Sequence, residues 1–291
     1  MVACAHAATL AVVYPKMPAP RDAIYNEIIE GIKSEYDGNL ELVTIPRKVD
    51  KATATKFALE VESKKPSMVI VLGSSGRKVG RRLTQSVPWV SGASFIRPNG
   101  SAGITPLANP SVMFDNLKVL APQVKRIYVV YSKRNEWLIQ LSKEAAVAAG
   151  FEFHSFSIDS TTAALSQYDE LIRKSLTKND AIWLPVDKYS SEKKNIVPMI
   201  IKKAWKKRFV VFSSRPEFVR RGVLFSFMPD NQVTGSELVK MVQSIYSKSI
   251  QPQVRTTSAV NLAVNLRTAS HLGLEYTQKQ KGEFLLTFPN Q

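Results

Sequence analysis

The polar residues best placed for chemistry in this 291-residue chain stand directly after short apolar runs. They read Tyr14-Pro15, Gly73-Ser74-Ser75, Gly92-Ala93-Ser94, Tyr131-Ser132, Pro185-Val186-Asp187, Ser213-Ser214-Arg215 and Pro229-Asp230. Hydroxyls, phenols, carboxylates and a guanidinium in these places form an inventory for holding a small polar molecule by many hydrogen bonds. It is a poor inventory for breaking bonds. Taken singly, each Ser or Asp also makes a helix cap; Asp230 reads most simply as one, and Asp187 fits either a cap or a ligand contact. The recurrence at most run ends is what points to ligand binding, with Tyr14, Gly73, Ser74, Ser75, Ser94, Ser132, Asp187, Ser214, Arg215 and Asp230 as candidate contacts. Tyr131, Trp137 and Phe225 are aromatic surfaces on which such a molecule could stack, although core packing is an equally ordinary use for them.

Catalytic constellations are missing. Gly73 to Gly80 has neither the spacing and terminal Lys-Ser/Thr of a phosphate-binding P-loop nor a G-x-G-x-x-G fingerprint, and reads as a turn whose backbone a ligand can approach. His6, His154 and His271 fall at no metal-ligand spacing and beside no Gly-x-Ser-x-Gly elbow. Cys4 is the one cysteine, so neither an internal disulfide nor a cysteine-rich zinc site can form. The expectation is a non-enzymatic protein with no catalytic residue, no metal and no cofactor.

The elements that must position these residues follow from periodicity. Short β-branched runs alternate with amphipathic segments, the pattern of successive strand–helix units in a parallel sheet, and the fold class is α/β. Leu10 to Tyr14, Leu40 to Ile45, Met68 to Leu72, Arg126 to Ser132, Phe151 to Ile158, Ala181 to Pro185, Phe209 to Ser213 and Val223 to Met228 read as strands. Ile24, Ile28, Ile29 and Ile32 stripe the first helix, and Val233, Leu238, Val242 and Ile245 a late one. In such sheets ligands bind beyond the carboxyl ends of the strands, where the polar clusters lie. The periodicity lapses between Ser91 and Pro110, which marks the first crossing between two Rossmann-like lobes. Residues 8–95 with 228–253 are expected to form lobe 1, residues 96–227 lobe 2, and residues 254–291 a tail across the hinge with a strand at Ala259 to Val264 and another at Phe284 to Phe288.

Forty Lys and Arg against 24 Asp and Glu give a net charge of +16, a field that attracts anions. Eleven basic residues and two acids lie between Lys188 and Arg221. With no helix-turn-helix, RNP strand or zinc finger in the chain, this run reads as a solvated helix face, and no nucleic acid is expected as partner. No stretch approaches the roughly 18 apolar residues of a membrane span. Ala5-His6-Ala7 has the small-x-small pattern of a signal-peptidase cut, so residues 1–7 read as the end of an export leader; Val2-Ala3-Cys4 is a poor lipidation site, and no lipid anchor is expected.

Several strings in order resemble a known family: Leu72-Gly73-Ser74-Ser75, Gly103-Ile104-Thr105, Trp183-Leu184-Pro185-Val186-Asp187, Gly222-Val223-Leu224-Phe225-Ser226 with Pro229-Asp230, and Asn265-Leu266-Arg267-Thr268-Ala269 with Leu272-Gly273-Leu274. Together they resemble the ABC-transporter substrate-binding family that includes tryptophan- and phenylalanine-binding lipoproteins. The resemblance implies the type I periplasmic binding protein fold, an exported monomeric protein in the periplasm or outside the cell, and capture of a small solute between two lobes by hinge closure. It implies hydroxyls of Ser74, Ser75 and Ser94 near an anionic end of the solute and Asp187 near a cationic one. The partner implied is an ABC permease, or alternatively a membrane sensor kinase to which the loaded protein reports. Amino-acid-binding members follow that aspartate with Asn, whereas this chain has Lys188 there and Arg77 in the first loop, so an amino-acid-like and a small anionic solute both stay open.

Overall fold

The computed structural model describes residues 8–98 and 100–289. The expected leader at 1–7, with Cys4 and His6, lies outside the described residues. In chain order the elements are β1 (Thr9–Pro15), α1 (Ala23–Glu35), β2 (Asn39–Ile45), α2 (Lys51–Ser63), β3 (Met68–Leu72), α3 (Gly73–Gly80), β4 (Trp89–Gly92) and β5 (Gly103–Ala108). There follow α4 (Pro110–Leu120), β6 (Arg126–Ser132), α5 (Glu136–Ala148), β7 (Glu152–Ile158), α6 (Thr161–Lys174), β8 (Asp180–Leu184), α7 (Ile196–Lys207) and β9 (Val210–Ser213). The chain ends with β10 (Phe225–Pro229), α8 (Asn231–Tyr246), β11 (Val254–Thr257), β12 (Val260–Asn265), α9 (Leu266–Leu272), α10 (Gln278–Gly282) and β13 (Phe284–Phe288).

Two compact units result, residues 1–107 with 229–259 and residues 108–228 with 260–291. The break at 107/108 falls within the Ser91–Pro110 segment read as the first crossing, twelve residues after the lobe bound expected at 95/96. The segment where periodicity lapsed contains β5, which pairs in parallel with β4 of the first sheet through Ser91 and Gly103. The tail from 254 passes from one unit to the other: β11 joins the first sheet, and β12 and β13 join the second.

The first unit's sheet has the order β11-β5-β4-β3-β1-β2. Its central strand β3 is buried along its whole length, as a parallel strand covered on both faces must be. Alternate residues divide between two cores. Leu10, Val12, Ile70 and Leu72 pack with Ile28 and Ile32 of α1 and with Leu238 and Val242 of α8. Ala11, Val13, Val69 and Val71 face Ala54, Ala58 and Val61 of α2. Helices α1 and α8 touch backbone to backbone: a Cβ on Gly31 would lie 1.9 Å from the Gln232 carbonyl oxygen, and one on Gly235 would lie 2.1 Å from that of Ile28. Only glycine permits that approach.

The second unit's sheet has the order β13-β12-β10-β9-β8-β6-β7. Strands β7, β6, β8, β9 and β10 run parallel. β12 runs against β10: the N–H of Asn265, at its end, donates to the Leu224 carbonyl just before β10 begins (2.8 Å). Tyr128, Val130, Ile182 and Leu184 meet Tyr168 and Ile172 of α6 and Val197 and Ile200 of α7. On α4, Phe114 packs at 6.2 Å from Phe151 and 6.0 Å from Phe153.

Candidate functional site

In the first unit the carboxyl end of β3 turns directly into α3. Gly73 to Gly76, expected as a plain turn, form the first turn of this helix. The change of direction requires Gly73 at φ +72°, where a Cβ would also approach the Tyr25 hydroxyl to 2.7 Å. No side chain caps the helix, and Ser74 in its first turn is exposed. Ser75 is buried instead and donates to the Arg47 carbonyl (2.6 Å). Ser94, also buried, lies 3.2 Å from Ser91 across the β4 end. Arg77 donates to the Phe95 carbonyl on the same loop (3.3 Å). Burial, and then the neighbouring charges of Arg81 and Arg97, hold its guanidinium below the usual arginine range. Positive charge is therefore concentrated at this strand end. Tyr14 is half-buried near the end of β1, and Asp230 caps α8 by accepting from the Val233 N–H (3.0 Å).

The matching strand ends of the second unit are already hydrogen-bonded to themselves. Asp187, 4% exposed, accepts from the Ser132 N–H (2.9 Å) and hydroxyl (2.6 Å), the Asn135 amide (2.9 Å), and the N–H groups of Tyr189 (2.8 Å) and Ser190 (3.1 Å). Burial pushes its carboxyl up, but these hydrogen bonds outweigh burial and hold it below the usual carboxylate range. Five donors fill the roughly four lone-pair sites of a carboxylate, so Asp187 organises the loops after β6 and β8. Asn135, which the sequence did not single out, belongs to this hub; nothing in its local pattern distinguishes it from a helix-flanking residue. The Tyr131 hydroxyl donates to Glu136 (2.9 Å), and burial followed by that carboxylate raises its pKa. Ser214 accepts from the fully buried Trp183 indole N–H (2.9 Å). Arg215 pairs with Glu217 (3.3 Å), yet its Nε is buried and meets no partner among the described residues. Trp137 is half-buried on the first turn of α5.

Phe225 does not belong with these residues. It is the first residue of β10, completely buried, and stacks on Phe212 with ring centroids 5.3 Å apart. Its position at the amino end of a strand whose ligand-facing end is the opposite one makes it core. His154 stacks on Tyr128 at 4.8 Å and His271 on Trp205 at 3.6 Å, neither near these loops. Among the described residues no group of three or more His, Cys, Asp or Glu could hold a metal ion.

Comparison with known proteins decides the family. The profile of the family described as ABC transporter substrate binding protein matches residues 21–281. The chain belongs to this family. An open, ligand-free substrate-binding protein with adhesive properties from Clostridium difficile superimposes with a TM-score of 0.69 at 17% identity, covering 98% of this chain and 100% of that one. An ABC domain from Streptococcus pneumonia in complex with L-Trp gives 0.56 at 19% identity, with 97% and 100% covered. A conserved domain protein from Vibrio cholerae gives 0.54 at 20% identity, with 97% and 99% covered. At these identities the structures establish the fold, that of type I periplasmic binding proteins, as the family resemblance implied. No curated protein matches the chain. Membership makes this a solute-binding protein whose partner is a membrane transporter, in a family that typically works outside the cytoplasm. Among the described residues no helix is long and apolar enough to cross a membrane.

Proposed function

We infer that this protein captures a small polar solute carrying an anionic group, of the amino-acid-like or small organic-anion class, and delivers it to an ABC permease. The observation that carries the reading is the β3–α3 junction. There a helix start without a side-chain cap, the exposed Ser74 and Arg77, whose guanidinium reaches the Phe95 carbonyl beyond β4, belong to one short helix. Backbone N–H groups at a helix start and a nearby guanidinium are complementary to a carboxylate. Arg215 supports the same sign of charge from the second unit, because its buried Nε is a donor in want of an acceptor. The Asp187 hub contributes by fixing the Tyr131-Ser132 and Asp187-Lys188 loops and by setting a negative charge behind them. The mechanism proposed is hinge closure: a solute bridging the two sets of loops has differential affinity for the shut state, and the permease reads that state.

The test is a thermal-shift screen on protein unfolded to strip any carried ligand and then refolded. Amino acids, small organic acids, sugars and nucleosides are compared. A compound bearing a carboxylate or another anionic group is expected to raise Tm in a concentration-dependent manner, as linkage requires. Stabilisation by neutral sugars alone would overturn the anionic assignment.

A further inference from the structure

The basic run that the sequence offered as a solvated helix face lines a groove of about 1160 Å³ in the second unit, close to the roughly 300–1,000 Å³ of small-ligand sites. One wall is a face of α7, where Ile201, Lys202 and Trp205 follow one another at helical spacing. Facing them are Arg220, from the turn before β10, Arg267, from the first turn of α9, and Phe288, at the end of β13. This groove lies at the amino ends of β9 and β10, the opposite end of the sheet from Asp187 and Arg215. The Asn265 to Thr268 string builds its floor: Asn265 donates to the Val219 carbonyl (2.7 Å), its side chain accepts from the Thr268 N–H (2.8 Å), and the Thr268 hydroxyl donates to the Gly222 carbonyl (3.1 Å). Three elements are thereby locked together around the opening.

The groove's chemistry is mixed in a particular way. Trp205 is 40% exposed, and its indole is fixed by His271 stacked at 3.6 Å and 5°, with the His271 ring also hydrogen-bonded to the Trp205 carbonyl (2.8 Å). The Arg267 guanidinium sits 5.7 Å from the indole centroid. Arg221 is spent on the Lys193 carbonyl (3.1 Å). Lys202, Arg220 and Arg267, by contrast, meet no carboxylate among the described residues. A surface that merely solvates its charges intersperses both signs; here cations from three elements line a groove beside the apolar Ile201, Trp205 and Phe288 with no acid in its lining. We propose that this groove is a second binding site, separate from the solute site, for an amphiphilic organic anion. Its flat or branched apolar body lies against Ile201, Trp205 and Phe288, and its carboxylate, sulfonate or phosphate meets Lys202, Arg220 and Arg267. A free organic acid and an anionic lipid share this chemistry.

Isothermal titration of the whole protein with naphthalene-2-sulfonate, and with naphthalene-2-methanol as its neutral counterpart, tests the proposal. The sulfonate is expected to bind at least about tenfold more tightly than the alcohol, and Arg220→Ser/Arg267→Ser to weaken it by about tenfold for each cation lost. Should that double variant fail to fold, Lys202→Glu on the exposed face of α7 gives the same readout with the groove's floor intact. Equal affinity for sulfonate and alcohol, or wild-type sulfonate affinity in the folded variant, would overturn the site. Co-sedimentation with phosphatidylglycerol vesicles, lost in the same variant, would assign the anion to a lipid headgroup; sulfonate binding without co-sedimentation would assign it to a free acid.

Discussion

The strand ends of the two units carry similar residue types and use them in opposite ways. In the first unit, Ser74 is exposed, α3 starts without a side-chain cap, and burial, followed by the charges of Arg81 and Arg97, makes a poor environment for the charge of Arg77. In the second unit, Asp187, Ser132, Tyr131 and Ser214 are bonded to one another or to their own loops. The first end keeps part of its hydrogen-bonding capacity, at Ser74, while Ser75 and Ser94 bond within the chain. The other spends it on rigidity, with Arg215 Nε the exception. A binding site needs both, because a donor adds affinity only if the loop presenting it does not have to be ordered at the moment of binding.

The contrast is broken most forcefully at Asp187. Asp187→Ala strands the buried N–H groups of Ser132 and Ser190 and is expected to cost about 3 kcal/mol or more in urea unfolding, as removal of one partner from a buried polar hub does. It should also abolish most of the solute-dependent rise in Tm, and a variant as stable as wild type would dissolve the distinction between the two ends. Gly73→Ala should cost about 1–2 kcal/mol, from the left-handed backbone, and blunt solute binding by displacing the start of α3. Ser214→Ala leaves the Trp183 indole N–H without its acceptor, for about 1–2 kcal/mol in the same assay and little change in solute affinity.

Arg77→Ser sharpens the comparison from the other side. Stability should move by no more than about 0.5 kcal/mol, while the Kd of an anionic solute rises by about tenfold. A large loss of stability with unchanged affinity would make Arg77 a structural residue like those of the second unit. The smallest effect is in pH. Because the folded pKa of Asp187 lies below its ordinary value, the carboxylate contributes stability above the unfolded value of about 3.9, and that contribution fades as pH falls through the folded pKa. The stability difference between wild type and Asp187→Asn should stay level from about pH 7 to 5 and narrow below about pH 4. A gap that widened on acidification would mean that the hub does not favour the charged form.

Much of this was legible in the chain. Most strands of both sheets show as β-branched runs, and β13 and the Asp230 cap lie where their residue types indicate. β5 and β11 were not legible: each is short, interrupted by glycine or proline nearby, and owes its strand state to a neighbour distant in sequence. The offset between the expected lobe bound at 95/96 and the break at 107/108 follows from the same cause. Phe225 looked available for stacking because a sequence names a ring without saying which end of its strand faces the ligand.

What the sequence determined by itself is the α/β class, the two-part organisation and the placing of polar groups after apolar runs, since all three are recorded in local periodicity. Tertiary structure alone decided which of those groups remain free. Asp187 closes on Ser132, 55 residues away, and Lys202 of α7 lines one groove with Arg267 from near the end of the chain. A hydrogen bond or an uncompensated charge is a property of a pair or a cluster, and its members are chosen by how the sheets bring distant segments together.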